Sequence, residues 1–172
     1  SPRVWWLFKV MGHQDISVLN GGFPEWKRKG YPTELRTQKH YQLGDFKATL
    51  KTKNVKNYQD ILNNLQKKTF TIVDARSEGR FNGTESEPRK QLKSGHIPNS
   101  INIPYKDVLK NGKFKTELEL KKIINQKLPK KETLVFSCGS GLTACIVMLA
   151  CEMVSKKGQT NSIKLRFEPF QF

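Results

Sequence analysis

The stretch Leu134–Ala150 limits what this chain can fold into more than any other. It opens with the apolar, β-forming run Leu134-Val135-Phe136 and passes through Ser137-Cys138-Gly139-Ser140-Gly141. It then runs on as Leu142-Thr143-Ala144-Cys145-Ile146-Val147-Met148-Leu149-Ala150. The first run reads as a buried strand and the longer apolar run as a buried helix. Cys138 therefore stands at the C-terminal end of a strand, at the mouth of a Gly-rich loop that opens a helix. Backbone N–H groups converge in such a loop, and the helix N-terminus adds partial positive charge. That environment favours a thiolate. The alternative, a small inert core residue, leaves Gly139 and Gly141 unexplained.

The other two cysteines, Cys145 and Cys151, lie on that helix, point to different faces and read as core. Three cysteines with neither zinc nor disulfide spacing indicate a reducing compartment, and no metal or cofactor is expected. A chain of 172 residues has room for one domain with a full core and part of another. No segment approaches the length of a membrane span. The net charge of +16 raises nucleic acid as a partner. The lysines, however, are spread through every segment rather than clustered among aromatics. A solvated basic surface that steers small anions is expected, with no nucleic-acid or membrane partner.

In chain order, Val4, Trp5, Leu7, Phe8 and Met11 have helical spacing, ended by Gly12. Ile16–Leu19 reads as a short strand. Phe23–Gly30 reads as a helix with Pro24 in its first turn. A linker covers 36–45 and separates a first piece, 1–35, too short to hold a core alone, from a domain over 46–172. In that domain Phe46–Leu50 alternates like an edge strand. Tyr58, Ile61, Leu62 and Leu65 mark a helix that Asn57 can cap. Phe70–Ala75 is a buried strand carrying Asp74 near its end, and Arg76–Lys93 a long polar loop. Ile97–Pro104 is a strand framed by prolines, Leu118–Ile124 a helix and Ile163–Leu165 a last strand. Strands alternating with helices give an α/β fold with a mainly parallel sheet flanked by helices, whose ligands sit beyond the C-terminal strand ends. His96 reads as a structural residue holding the Gly95–Pro98 turn, and Asp74 as ordering the loop beside it. His13 and His40 have no company in the sequence.

At Cys138-Gly139-Ser140-Gly141-Leu142-Thr143-Ala144 the chain resembles the 3-mercaptopyruvate sulfurtransferases, the two-domain branch of the rhodanese family. Val73–Arg76, Gly79–Phe81, Glu87–Arg89, Ser94–Pro98 and Asn102–Pro104 extend the resemblance. So do Ser1–Trp6, Val18–Phe23 and Trp26, which are similar to the last third of that family's N-terminal domain. The resemblance implies a catalytic rhodanese domain over 46–172, preceded by the tail of a second rhodanese-like domain over 1–35. It also implies a fragment: most of the first domain is missing, and Arg166–Phe172 stands where the family has a closing helix.

The chemistry implied is the transfer of sulfane sulfur from 3-mercaptopyruvate to a thiol or cyanide through a persulfide on Cys138. Gly139, Ser140, Gly141, Leu142 and Thr143 supply N–H donors to the anionic sulfur. By resemblance Arg80 and Arg89 grip the donor's carboxylate and ketone, and Ser140 assists the thiol. Implied partners are a small anionic sulfur donor and a thiol acceptor such as thioredoxin or a small thiol. The protein is expected to be a monomer or weak dimer, cytoplasmic or, in a eukaryote, mitochondrial. Neutral Gly139 and Ser140 make thiosulfate, a compact dianion, the poorer donor. A phosphatase of the C-x5-R type would need arginine where Ala144 stands. An inactive module with a structural or partner-binding role is the remaining alternative.

Overall fold

The computed structural model describes residues 1–35, 42–89, 92–129 and 132–155, and the backbone of 163–166. Its helices are α1 (Pro2–Val10), α2 (Gly22–Arg28), α3 (Tyr58–Lys67), α4 (Glu78–Asn82), α5 (Glu117–Lys127) and α6 (Leu142–Val154). Its strands are β1 (Val55–Lys56), β2 (Thr71–Asp74), β3 (Ile101–Asn102), β4 (Leu109–Lys110), β5 (Lys113–Phe114), β6 (Leu134–Ser137) and β7 (Ile163–Arg166).

Five strands form one sheet in the order β1-β7-β6-β2-β3, every pair parallel. β6 lies at its centre and all its side chains are buried, as expected of a strand covered on both faces. Phe136, Val73, Ile103, Leu120, Ala144, Cys145 and Val147 belong to one core. Fully burying an aliphatic or aromatic side chain contributes about 1.5–3 kcal/mol. α3 is entered through a capping box: Asn57 Oδ1 accepts the Asp60 N–H at 2.9 Å while Asp60 accepts the Asn57 N–H at 3.0 Å. Thr116 and Glu119 cap α5 in the same way.

The piece 1–35 packs on the rest: Trp5, Trp6 and Val10 of α1 are buried in the core that holds α6. The expected linker falls partly on 36–41, outside the described residues, while 42–45 are exposed and without regular structure.

Several elements differ from expectation. Phe46–Leu50 is not a strand. The chain turns to the end of α1 instead, the Thr49 N–H donating to the Met11 carbonyl at 2.9 Å and, just beyond the segment, the Lys51 N–H to that of Val10 at 2.7 Å. Its alternation serves an aromatic contact, Phe46 against Phe8 and His13, so His13 has company after all. The sheet edge is β1. Ile16–Leu19 is also irregular, with Ile16 and Val18 packed on the core. The strand at 97–104 shrinks to Ile101–Asn102, because Pro98 and the positive φ of Asn99 (64°) turn the chain just before it. The polar loop 76–93 contains α4. An antiparallel hairpin joins β4 to β5 through Asn111 and Gly112, with φ of 52° and 75°, as a primed turn requires. Residues 167–172, the expected aromatic tail, lie outside the described residues. No helix among the described residues is long and apolar enough to cross a membrane.

Candidate active site

β2 and β6 run side by side in register, Asp74 opposite Ser137. The chain leaves them in opposite directions, β2 leading outward to β3 and β6 to β7 on the other side. A crevice opens where connections diverge like this, beyond the C-terminal strand ends. The Ala75 N–H donates to the Ser137 carbonyl at 2.9 Å, carrying the pairing past both strands. On the other flank the Asn102 side-chain amide donates to the carbonyls of Asp74 and Arg76 at 2.9 and 3.1 Å. The backbone that presents Arg76 and Cys138 is thereby fixed from both sides. A cavity of about 90 Å³ sits there, lined by Arg76, Glu87, Leu92–Ile97 and Ser137–Gly139.

Cys138 is half-buried in its wall. The Gly141 N–H donates to its Sγ at 3.0 Å. Gly141 has φ 75°, a conformation a side chain would strain, and this bend turns the loop back over the sulfur just before α6 begins. Of the expected loop donors Gly139, Ser140, Gly141, Leu142 and Thr143, the structure brings the Gly141 N–H onto the sulfur. Ser140 and Leu142 are exposed, and Ser140 lies outside the cavity lining. Ala144 is buried, so no cation stands at that position.

The two expected arginines are placed differently. Arg80, on α4, reaches the loop: a β-carbon at Gly139 would lie 3.0 Å from its Nη2, so Gly139 makes room for a guanidinium. Its fork is held by Glu87, through Nε to Oε1 at 3.0 Å and Nη2 to Oε2 at 2.5 Å. Arg89 is exposed, and neither arginine is among the residues that line the cavity.

Sequence reasoning missed the residues that knit the cavity wall. Glu87, its side chain 3% exposed, also receives Arg76 Nη1 at 2.7 Å. Arg76 in turn donates to Asp74, Nε at 3.0 Å and Nη2 at 2.6 Å, and to the Gly95 carbonyl at 2.6 Å. Burial pushes the Glu87 carboxyl up, but the hydrogen bonds from Arg80 and Arg76 outweigh it and hold the group below its ordinary value. Burial opposes charge on Arg76 as well, and Asp74 and Glu87 more than compensate. The i, i+2 spacing of Asp74 and Arg76 at a strand end could have shown that pair. Nothing in the spacing points to Glu87, eleven residues from Arg76.

Asp74 is buried and also accepts the Arg76 N–H at 2.9 Å, the geometry of a loop-ordering residue. The His96 ring stacks on Phe81, centroids 3.8 Å apart at 8°, and its Nδ1 lies 2.8 Å from the Phe81 carbonyl oxygen. Cys145 and Cys151 are buried, and burial pushes both thiols up to about 12. Both belong to the core. Among the described residues no group of three or more His, Cys, Asp or Glu could hold a metal ion.

A family profile for the rhodanese-like domain matches residues 57–165, which span β2, β6 and the cysteine loop. The chain belongs to the rhodanese family. It is 41% identical over 158 residues to a mouse 3-mercaptopyruvate sulfurtransferase, and that alignment covers 91% of this chain and 53% of the mouse protein. It is 43% identical over 159 residues to a mouse thiosulfate sulfurtransferase, with the same coverage. The crystal structure of the Escherichia coli 3-mercaptopyruvate sulfotransferase SseA superposes with a TM-score of 0.80 at 30% identity, covering 98% of this chain and 62% of that one. The chain thus spans about half the length of the curated relatives it matches.

Proposed function

We propose that this rhodanese domain belongs to a sulfurtransferase that takes sulfane sulfur from 3-mercaptopyruvate through a Cys138 persulfide. The observation that carries the reading is the Gly141 N–H at 3.0 Å from Cys138 Sγ, at the head of α6 and on the wall of a cavity sized for a small molecule. A donated N–H and a helix N-terminus both stabilise negative sulfur. The thiolate attacks the donor's sulfur, an S–S bond forms, and the C–S electron pair leaves as pyruvate enolate, which takes a proton. An acceptor thiolate or cyanide then attacks the outer sulfur and returns Cys138 as thiolate.

In this reading Arg80, packed against Gly139, meets the donor's carboxylate after exchanging part of its Glu87 pairing. Arg89 and Ser140, both exposed, approach only once the donor is seated. A thiol acceptor such as thioredoxin in a reducing compartment completes the cycle. A second reading, thiosulfate as donor, is favoured by Lys93 in the cavity lining, a cation suited to a dianion, beside an Arg76 that Asp74 and Glu87 already engage.

The test incubates the protein with each donor and cyanide, measures thiocyanate, and locates added sulfur by mass spectrometry. One sulfur on Cys138, absent in Cys138→Ala, with faster turnover of 3-mercaptopyruvate, is the expected result. Faster turnover of thiosulfate selects the second reading. Sulfur on Cys145 or Cys151 instead refutes the Cys138 persulfide, and no thiocyanate from either donor selects the inactive module.

A further inference from the structure

The cysteine loop is gripped from outside the catalytic strands. Gly141 is its pivot: the N–H meets Cys138 Sγ at 3.0 Å, and the carbonyl accepts from two sides. Cys145 Sγ donates to that carbonyl at 3.0 Å from within α6, and Arg3 Nη1 at 3.4 Å from α1, 138 residues away in the sequence. A glycine enters positive φ without steric penalty and leaves it as easily. The N–H and the carbonyl belong to the peptides on either side of the Gly141 Cα, so an anchored carbonyl limits how far the N–H can swing. Arg3 is itself held: its guanidinium lies over the ring of Trp6 at 5.3 Å, and Trp6 is buried in the core beside α6.

We propose that Arg3 is a positioning residue for Cys138, fixing the Gly141 carbonyl so that the Gly141 N–H stays on the sulfur. Arg3 touches neither the sulfur donor nor the reacting atoms in this role; it acts through Gly141. Cys145 is the second grip. Its thiol keeps its proton, and so remains a donor, because burial holds it up at about 12 although the Arg3 charge pulls the other way. The condition of α1 is thereby transmitted to the nucleophile. Only the consequence for turnover rests on the sulfurtransferase reading; the geometry of the loop does not.

The test is the pH profile of Cys138 alkylation by iodoacetamide, followed by mass spectrometry of the Cys138 peptide in the full-length protein. Arg3→Met keeps an apolar stem over Trp6 and removes the fork. Its profile should shift toward higher pH, read as slower Cys138 alkylation at neutral pH. Arg3→Lys should recover part of the shift. Cys145→Ala removes the other grip without changing charge and should shift the midpoint in the same direction, which separates positioning from simple loss of a cation. A parental profile in Arg3→Met and Cys145→Ala, with unchanged melting temperatures, overturns the proposal. If Arg3→Met does not fold, a parental profile in both Arg3→Lys and Cys145→Ala overturns it equally. Alkylation needs no sulfur donor. A shifted profile in a protein that forms no persulfide therefore keeps Arg3 in its role and refutes the sulfurtransferase reading. Persulfide formation with unshifted variants does the reverse.

Discussion

Removing the Glu87 carboxylate tests the cavity wall directly. Glu87 receives Arg76 Nη1 at 2.7 Å and Arg80 Nε and Nη2 at 3.0 and 2.5 Å, with its side chain 3% exposed. Taking one partner out of a buried ionic group destabilises by about 3–5 kcal/mol, because the cations left behind stay desolvated. Arg76 keeps Asp74 as a partner, so Glu87→Gln should lie at the low end, about 3 kcal/mol. For a chain of this size that is a fall of roughly 6–12 °C in Tm. Arg80→Met alone should lose less, about 1–2 kcal/mol, since Glu87 retains Arg76. Because the double variant strands one cation fewer than Glu87→Gln does, its loss should fall short of the sum by more than about 1 kcal/mol.

The pH dependence has a definite sign. Glu87 titrates below its ordinary value in the folded protein. Its contribution is therefore present above the unfolded carboxylate value of about 4.3 and is lost as pH falls through the lower folded value. The gap in Tm between parent and Glu87→Gln should be constant at neutral pH and close only in acid. Thermal and urea melts of the four proteins across pH supply every quantity. Additivity within about 0.5 kcal/mol, or a gap that closes near neutrality, would refute the network.

Gly141→Ala forces an L-residue to φ 75° and should destabilise by about 1–2 kcal/mol while slowing Cys138 alkylation, measured on the same sample. Asn64 is buried, its amide donating to the Phe70 carbonyl at 2.8 Å and its Oδ1 accepting the N–H groups of Thr69 and Phe70. Asn64→Ala leaves these without partners and should lose about 2–4 kcal/mol in a chemical melt. At pH 8 iodoacetamide should label Cys138 and spare Cys145 and Cys151, whose thiols titrate at about 12; all three should react in denaturant. His96→Asn should leave the pH profile of turnover unchanged, because the ring is held by Phe81, whereas a lost acid limb would make it a proton carrier.

What could be read from the residues was whatever depends on near neighbours. The Leu134–Ala150 stretch declared strand, turn and helix because burial period and glycines fall within a few positions of one another, and Asn57 declared the start of α3 for the same reason. Phe46–Leu50 misled because period-2 alternation reports only that alternate residues face one surface. Here that surface is the end of α1, not a sheet. The Asn111-Gly112 turn is of the same local kind, an Asn-Gly pair that suits a primed hairpin turn. Helix α4, five residues long, carries no periodicity to find. The Arg76–Glu87–Arg80 wall depends on where a loop folds back, which no spacing encodes, and so Arg89 looked as well placed as Arg80.

The order of the sheet also governs the protein's birth on the ribosome. Strands β2 and β6 can pair as soon as Ser137 has been made, but β1 waits for β7, Val55 meeting Leu165. At about 5–20 residues per second the first strand of this sheet to be made is the last to find its place, and for some seconds one edge of β6 lies open. An open apolar edge recruits other chains.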